Sequence, residues 1–129
     1  MKVLRRIFKY RDFSESLKIA LTGIAYLFLY HDNMRTIFLA GVAAFLAGIV
    51  FHLRGMEVAV LCITISVVFI AEMFNTAIEM IIDMGTRKYH TLIKLVKDIA
   101  AGVVLIASLN AIAIGVILFL PKILQLLKK

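Results

Sequence analysis

Three apolar stretches limit what this chain can become. Residues 34–53 (MRTIFLAGVAAFLAGIVFHL), 56–83 and 98–120 (DIAAGVVLIASLNAIAIGVILFL) are each long enough to cross a bilayer as a helix. That crossing takes roughly 20 residues at 1.5 Å rise each. The chain has 129 residues, of which 63% are hydrophobic. A soluble protein of this size could not keep so much apolar surface out of water. Mean hydropathy is +1.00, which points the same way. The predicted fold is an all-α integral membrane protein, one domain over residues 1–129.

Residues 5–30 (RRIFKYRDFSESLKIALTGIAYLFLY) begin charged and end apolar. Phe13, Leu17, Ala20, Leu21, Ile24, Leu27 and Phe28 recur at three- and four-residue steps, the stripe of an amphipathic helix. Basic residues near its start suit a helix lying in the headgroup plane. Ser14, Glu15 and Ser16 either cap or interrupt it, so one helix or two is open. In the first span Ala40, Ala44 and Gly48 repeat every four residues, and in the third Ala107, Ala111 and Gly115 do the same. Such stripes let helices approach closely. Pro121 is expected to end the third span, leaving PKILQLLKK as a short basic tail.

The formal net charge is +7, and the basic residues are clustered. Lys2, Arg5, Arg6, Lys9, Arg11 and Lys18 crowd the N-terminus, while Arg87, Lys88, Lys94 and Lys97 share one connection. Three spans put both groups on one side, which the positive-inside rule makes cytoplasmic. Lys122, Lys128 and Lys129 then fall on the other side, against the trend. The basic residues flank apolar spans and belong to no nucleic-acid motif, so no nucleic-acid partner is expected. Cys62 stands alone, which excludes an intrachain disulfide and suggests a small packing residue. No Ala-x-Ala-like site follows a short apolar core, so no cleavable signal peptide is expected. His52 and His90 lack ligand-type spacing to a second histidine. Asn110, with Ser108, reads as a joint between helices.

The second stretch carries the chemistry. After the unbroken run VAVLCITISVVFI (58–70) come Glu72, Asn75, Glu79 and Asp83. Steps of three, four and four keep these side chains on one helix face, with Thr76 beside them. A carboxylate in hydrocarbon costs roughly 2.5–3.5 kcal/mol even on the mildest scale, so the stripe must face other helices or a wet cleft. Lys97 and Asp98 open the third span at the same level. Clustered carboxylates repel unless a cation joins them, and hard oxygen donors suit Mg²⁺ together with substrate phosphates. Metal, base and lysine together are what phosphoryl transfer needs. Spacing alone leaves three readings open: an active site, an ion or proton pathway, and structural pairing of Lys97 with Glu79 or Asp83. The chain contains no G-x-x-x-x-G-K-[ST] loop, no Asp-Phe-Gly and no His-Arg-Asp, which excludes the soluble kinase designs.

EMFNTAIEMIID (72–83) followed by KYHTLIKLVKDIAAGVVLIA (88–107) resembles the signature of the prokaryotic diacylglycerol kinases, a family that includes the undecaprenol kinases of Gram-positive bacteria. The resemblance covers about residues 14–123. It implies a homotrimeric enzyme with a surface helix and three spans in the cytoplasmic (inner) membrane, its sites at the cytoplasmic interface. Such an enzyme passes the γ-phosphate of Mg²⁺-bound ATP to a lipid alcohol. By match to the motif, Glu72 is the base toward the lipid hydroxyl and Glu79 a metal ligand. Asn75, Asp83, Lys97 and Asp98 hold nucleotide, metal and one another. Where the family usually has a Lys-Gly pair this chain has Thr22-Gly23. Where it usually has a metal-binding glutamate, this chain has His31 with Asp32 beside it, so Asp32 is the expected second metal ligand. VILFLPKI (116–123), YHTLIKLVKDIAAGVVL (89–105) and Thr76 look closer to the undecaprenol kinase branch, with diacylglycerol the alternative substrate.

Overall fold

A computed structural model describes residues 12–85 and 91–128, and among these all regular structure is helical. The chain divides into two units, Met1–Asp32 and Asn33–Lys129. The basic cluster before Asp12, residues 5–11 of the expected surface helix, and Arg87, Lys88, Tyr89 and His90 lie outside the described residues.

In the first unit, helix α1 spans Phe13–Tyr30 without interruption. Ser14 and Ser16 do not break it. The Ser14 hydroxyl donates to Asp12 Oδ2 at 3.2 Å and the Ser16 N–H to the Asp12 carbonyl at 3.1 Å, which ties the first turn to the residue before it. Glu15 sits in that turn, where the exposed N–H groups favour negative charge. The helix stops where His31 turns extended and its N–H closes on the Leu27 carbonyl at 3.0 Å. Phe13, Leu17 and Leu21 remain exposed along the apolar stripe.

The second unit holds most of α2 (Asp32–Val50, whose first residue belongs to the first unit), then α3 (Met56–Gly85) and α4 (Thr91–Leu127). These three helices are long and apolar enough to cross a membrane. The helix α2 ends three residues before the expected boundary at 53. His52 adopts φ 55°, its N–H meets the Ile49 carbonyl at 3.0 Å, and the Leu53 N–H reaches the Gly48 carbonyl at 2.9 Å. This is a Schellman closure with histidine at the left-handed position that glycine usually fills. Leu53 then folds back onto Gly48, where an added Cβ would lie 3.3 Å from Leu53 and 2.9 Å from Leu61. Gly48 is buried for that reason. Gly41, not Ala40, makes the second close approach to α3, since a Cβ there would lie 2.9 Å from Ile65.

The turn restarts as α3 with Glu57 reaching back to the Arg54 N–H at 3.2 Å, half of a capping box. At this end Leu53, Leu61 and Leu118 form the buried core, with Ala44, Val58 and Phe119 packed against it. Phe51 and Phe119 meet edge to face at 5.7 Å. Glu57 also pairs with Lys122 at 3.3 Å, joining the start of α3 to the far part of α4.

Other sequence expectations change as well. Pro121 does not end the third helix, which runs on to Leu127 and also begins early, at Thr91. Pro121 lacks an N–H, so the Ile117 carbonyl loses its in-helix donor. Cys62, expected to pack, is exposed.

Candidate functional site

Along α3 one face changes character. Leu61, Thr64, Ile65 and Val68 line a cavity of about 300 Å³ that Gly41 on α2 and Ser108 on α4 help to close. One turn further on, the same face carries Glu72, then Asn75 and Thr76, then Glu79 and Asp83. Steps of three and four place all of them on a common stripe. Ala111 and Gly115 from the small-residue stripe of α4 also line this cavity, while Asn110 is exposed.

Glu72 is 3% exposed and Thr76 is 3% exposed. A buried carboxylate needs a donor, and Glu72 has one: Asn33 Nδ2, in the first turn of α2, donates to Glu72 Oε1. Asn33 belongs to the short polar break His31-Asp32-Asn33 before the first span, and no local spacing joins it to Glu72. An amide beside the first span, at the end where the stripe emerges, was the available sign.

The other stripe residues pair separately. Asn75 Nδ2 lies 3.4 Å from Glu79 Oε1, a long bond. Asn75 Oδ1 is buried without a hydrogen-bond partner among the described residues. Lys97 Nζ on α4 donates to Asp83 Oδ1 at 2.7 Å, with side-chain exposures of 40% and 68%. The structural pairing weighed for Lys97 therefore falls to Asp83. Asp98 follows Lys97 and is exposed. Asp32 is the first residue of α2 and is also exposed, and His31 is half-buried at the end of α1. The Thr22 hydroxyl donates to its own helix, to the Lys18 carbonyl at 2.8 Å.

The expected convergence of carboxylates thus resolves into separate groups spaced along α3. Among the described residues no three His, Cys, Asp or Glu side chains gather as a metal cage. Helix geometry explains this. Glu72 and Glu79 are seven residues apart, about 10 Å along the axis at 1.5 Å per residue. The residues present nonetheless suit Mg²⁺, which takes one or two carboxylates and completes its shell with water and phosphate oxygens. Glu79 offers the carboxylate, and the unpartnered Asn75 Oδ1 adds a hard oxygen beside it.

The two ion pairs between α3 and α4 set a scale. From Glu57 at one end, Glu72 lies about 22 Å along the α3 axis, Glu79 about 33 Å and Asp83 about 39 Å, at 1.5 Å per residue. The hydrocarbon of a bilayer is about 30 Å thick. A slab starting at Glu57 therefore ends between Glu72 and Glu79.

Comparison with known proteins bears on what such a gradient does. Residues 18–119 match the family model described as prokaryotic diacylglycerol kinase. Over 113 residues the chain is 40% identical to a protein of Synechocystis sp. named diacylglycerol kinase, a match that covers 87% of this chain and 65% of that one. Over 84 residues it is 37% identical to the Bacillus subtilis protein named undecaprenol kinase, covering 65% of this chain and 68% of that one. The chain thus spans about two thirds of the length of these relatives.

Proposed function

The chain belongs to the prokaryotic diacylglycerol kinase family, and from that premise we propose that it is a membrane lipid kinase, transferring the γ-phosphate of ATP to the hydroxyl of a lipid alcohol. The observation that carries this reading is the buried Glu72, held by Asn33, at the point where an apolar cavity gives way to a stripe of oxygen donors on α3. A lipid kinase has to bring two unlike reactants together. The lipid hydroxyl sits at the edge of hydrocarbon and the nucleotide in water. The spacing along α3 suits both, with Glu72 inside the slab and Glu79 and Asp83 past it.

Glu72 is the general base. It accepts the proton of the lipid hydroxyl as that oxygen forms its bond to the γ-phosphorus and the bond between the γ-phosphorus and the bridging oxygen of ADP breaks. Asn75 and Glu79 would hold Mg²⁺, as hard oxygen donors beside the phosphates. When bound, the metal offsets the negative charge of the phosphates. Lys97, steadied by Asp83, faces the phosphate oxygens as a point charge. Asp98 completes the polar rim around the nucleotide.

The clustering of basic residues favours the cytoplasmic side of the inner membrane for the stripe, by the positive-inside rule. Lys122 opposed that orientation by sequence. Its pairing with Glu57 at 3.3 Å offsets its charge and weakens the objection. The large apolar side chains left exposed on all three spans suit lipid contact, and the exposed Asn110 amide suits a contact with another helix in a homotrimer.

Undecaprenol is the favoured substrate, on the likeness of residues 116–123 and 89–105 to that branch. The name of the Synechocystis relative favours diacylglycerol as the second reading. Thin-layer separation of ³²P-labelled products, with both lipids offered together to the detergent-solubilised protein, decides between them. Label in undecaprenyl phosphate supports the first reading and label in phosphatidic acid the second. Label in neither contradicts both.

A further inference from the structure

Glu72 carries a donor that no catalytic requirement in the sequence motif announces, and this inference rests on the base role proposed for Glu72. We propose that Asn33 is a positioning residue for the reaction. It holds one oxygen of the Glu72 carboxylate so that the other is free to take the lipid proton.

The argument starts from burial. A glutamate has three rotatable bonds, and at 3% exposure Glu72 has almost no water to satisfy it. Its ladder of rotamers is restrained by whatever donates to it, and Asn33 Nδ2 donates to Oε1. That leaves Oε2 as the acceptor for the substrate hydroxyl. The chemistry of the donor matters as much as its presence. A lysine here would form an ion pair, as Lys97 does with Asp83, and would offset the negative charge that proton abstraction needs. A neutral amide fixes the carboxylate and leaves that charge in place. Asn33 also sits in the first turn of α2, where the free backbone N–H groups favour a nearby negative charge. Finally, the bond joins α2 to α3 and so sets the carboxylate relative to the cavity that both helices line.

The rival account is that Asn33 only joins two helices. The test compares Asn33→Ala, Asn33→Gln and Asn33→Ala within Glu72→Gln, measuring kcat, KM for ATP and the thermal midpoint in lipid–detergent micelles. Positioning predicts that Asn33→Ala lowers kcat about 10- to 100-fold, the usual loss of a hydrogen bond to a charged group. KM for ATP stays near the wild-type value; the thermal midpoint falls somewhat because the buried Glu72 carboxylate loses its donor, and the rate loss persists at temperatures where the variant is fully folded. Asn33→Gln, which keeps the amide on a longer stem, recovers part of the rate. In the Glu72→Gln background Asn33→Ala costs nothing further, because the two act as a unit. Wild-type kcat in Asn33→Ala overturns the proposal while leaving Glu72 as the base. So does a loss of rate that tracks a fall in thermal midpoint and that Asn33→Gln does not relieve. Full turnover in Glu72→Gln overturns the base role itself and this inference with it.

Discussion

Asn33 and Glu72, 39 residues apart in sequence, meet through a hydrogen bond from the Asn33 amide to Glu72 Oε1. The contact ties the start of α2 to the middle of α3. It marks the level at which the apolar interior of the second unit ends and the oxygen-rich stripe begins. The consequences can be tested above, below and at that level.

Above it, Lys97 and Asp83 form a pair that is largely exposed. Exposed ion pairs contribute about 0–1 kcal/mol, so Asp83→Asn is expected to leave the thermal midpoint almost unchanged. Lys97→Ala removes the charge proposed to face the phosphates. Its KM for ATP is expected to rise about tenfold, equivalent to about 1.4 kcal/mol of lost binding. Steady-state kinetics over a range of ATP concentrations, alongside a thermal scan, checks both.

At the nucleotide level, Glu79 is the carboxylate proposed to hold Mg²⁺. Removing divalent ions with a chelator is expected to stop transfer, and added Mg²⁺ to restore it. In Glu79→Gln the Mg²⁺ concentration for half-maximal rate is expected to rise at least about tenfold, since one charged ligand of a few is lost. Titration of the rate with Mg²⁺ at fixed ATP measures this. An unchanged midpoint removes Glu79 from the metal site.

Below it, the turn after α2 carries a strained histidine. His52 holds φ 55° at the position where a Schellman closure prefers glycine. A left-handed conformation costs a non-glycine residue roughly 1–2 kcal/mol. His52→Gly is therefore expected to stabilise the protein by about 1 kcal/mol, less the entropy that glycine adds to the unfolded chain. Activity should not change, because the turn lies at the end opposite the stripe. Thermal unfolding in detergent, followed by circular dichroism, gives the answer.

These particulars show what could be read from the sequence. The three long helices were legible because apolar runs of that length have few other fates. The stripe from Glu72 to Asp83 was legible because spacing of three and four is local to one helix. The end of α2 was not, since His52 gives no glycine signal for the closure it makes. Pro121 misled for the opposite reason. It is a strong local stop, yet α4 continues through it to Leu127. The partners of Glu72 and Glu57 were hidden as well. Asn33 and Lys122 reach them only through tertiary packing, and neither has a spacing that would have joined it to its acceptor.

The account rests most heavily on Glu72 as the group that takes the proton from the lipid hydroxyl. The direct measurement is the initial rate of ³²P transfer from ATP to an added lipid alcohol, for the wild-type protein and for Glu72→Gln brought to the same assembly state and thermal midpoint. The prediction is Mg²⁺-dependent labelling by the wild type and a rate about 10²- to 10⁴-fold lower in the variant, the range general-base catalysis supplies. A Glu72→Gln rate equal to that of the wild type would contradict it.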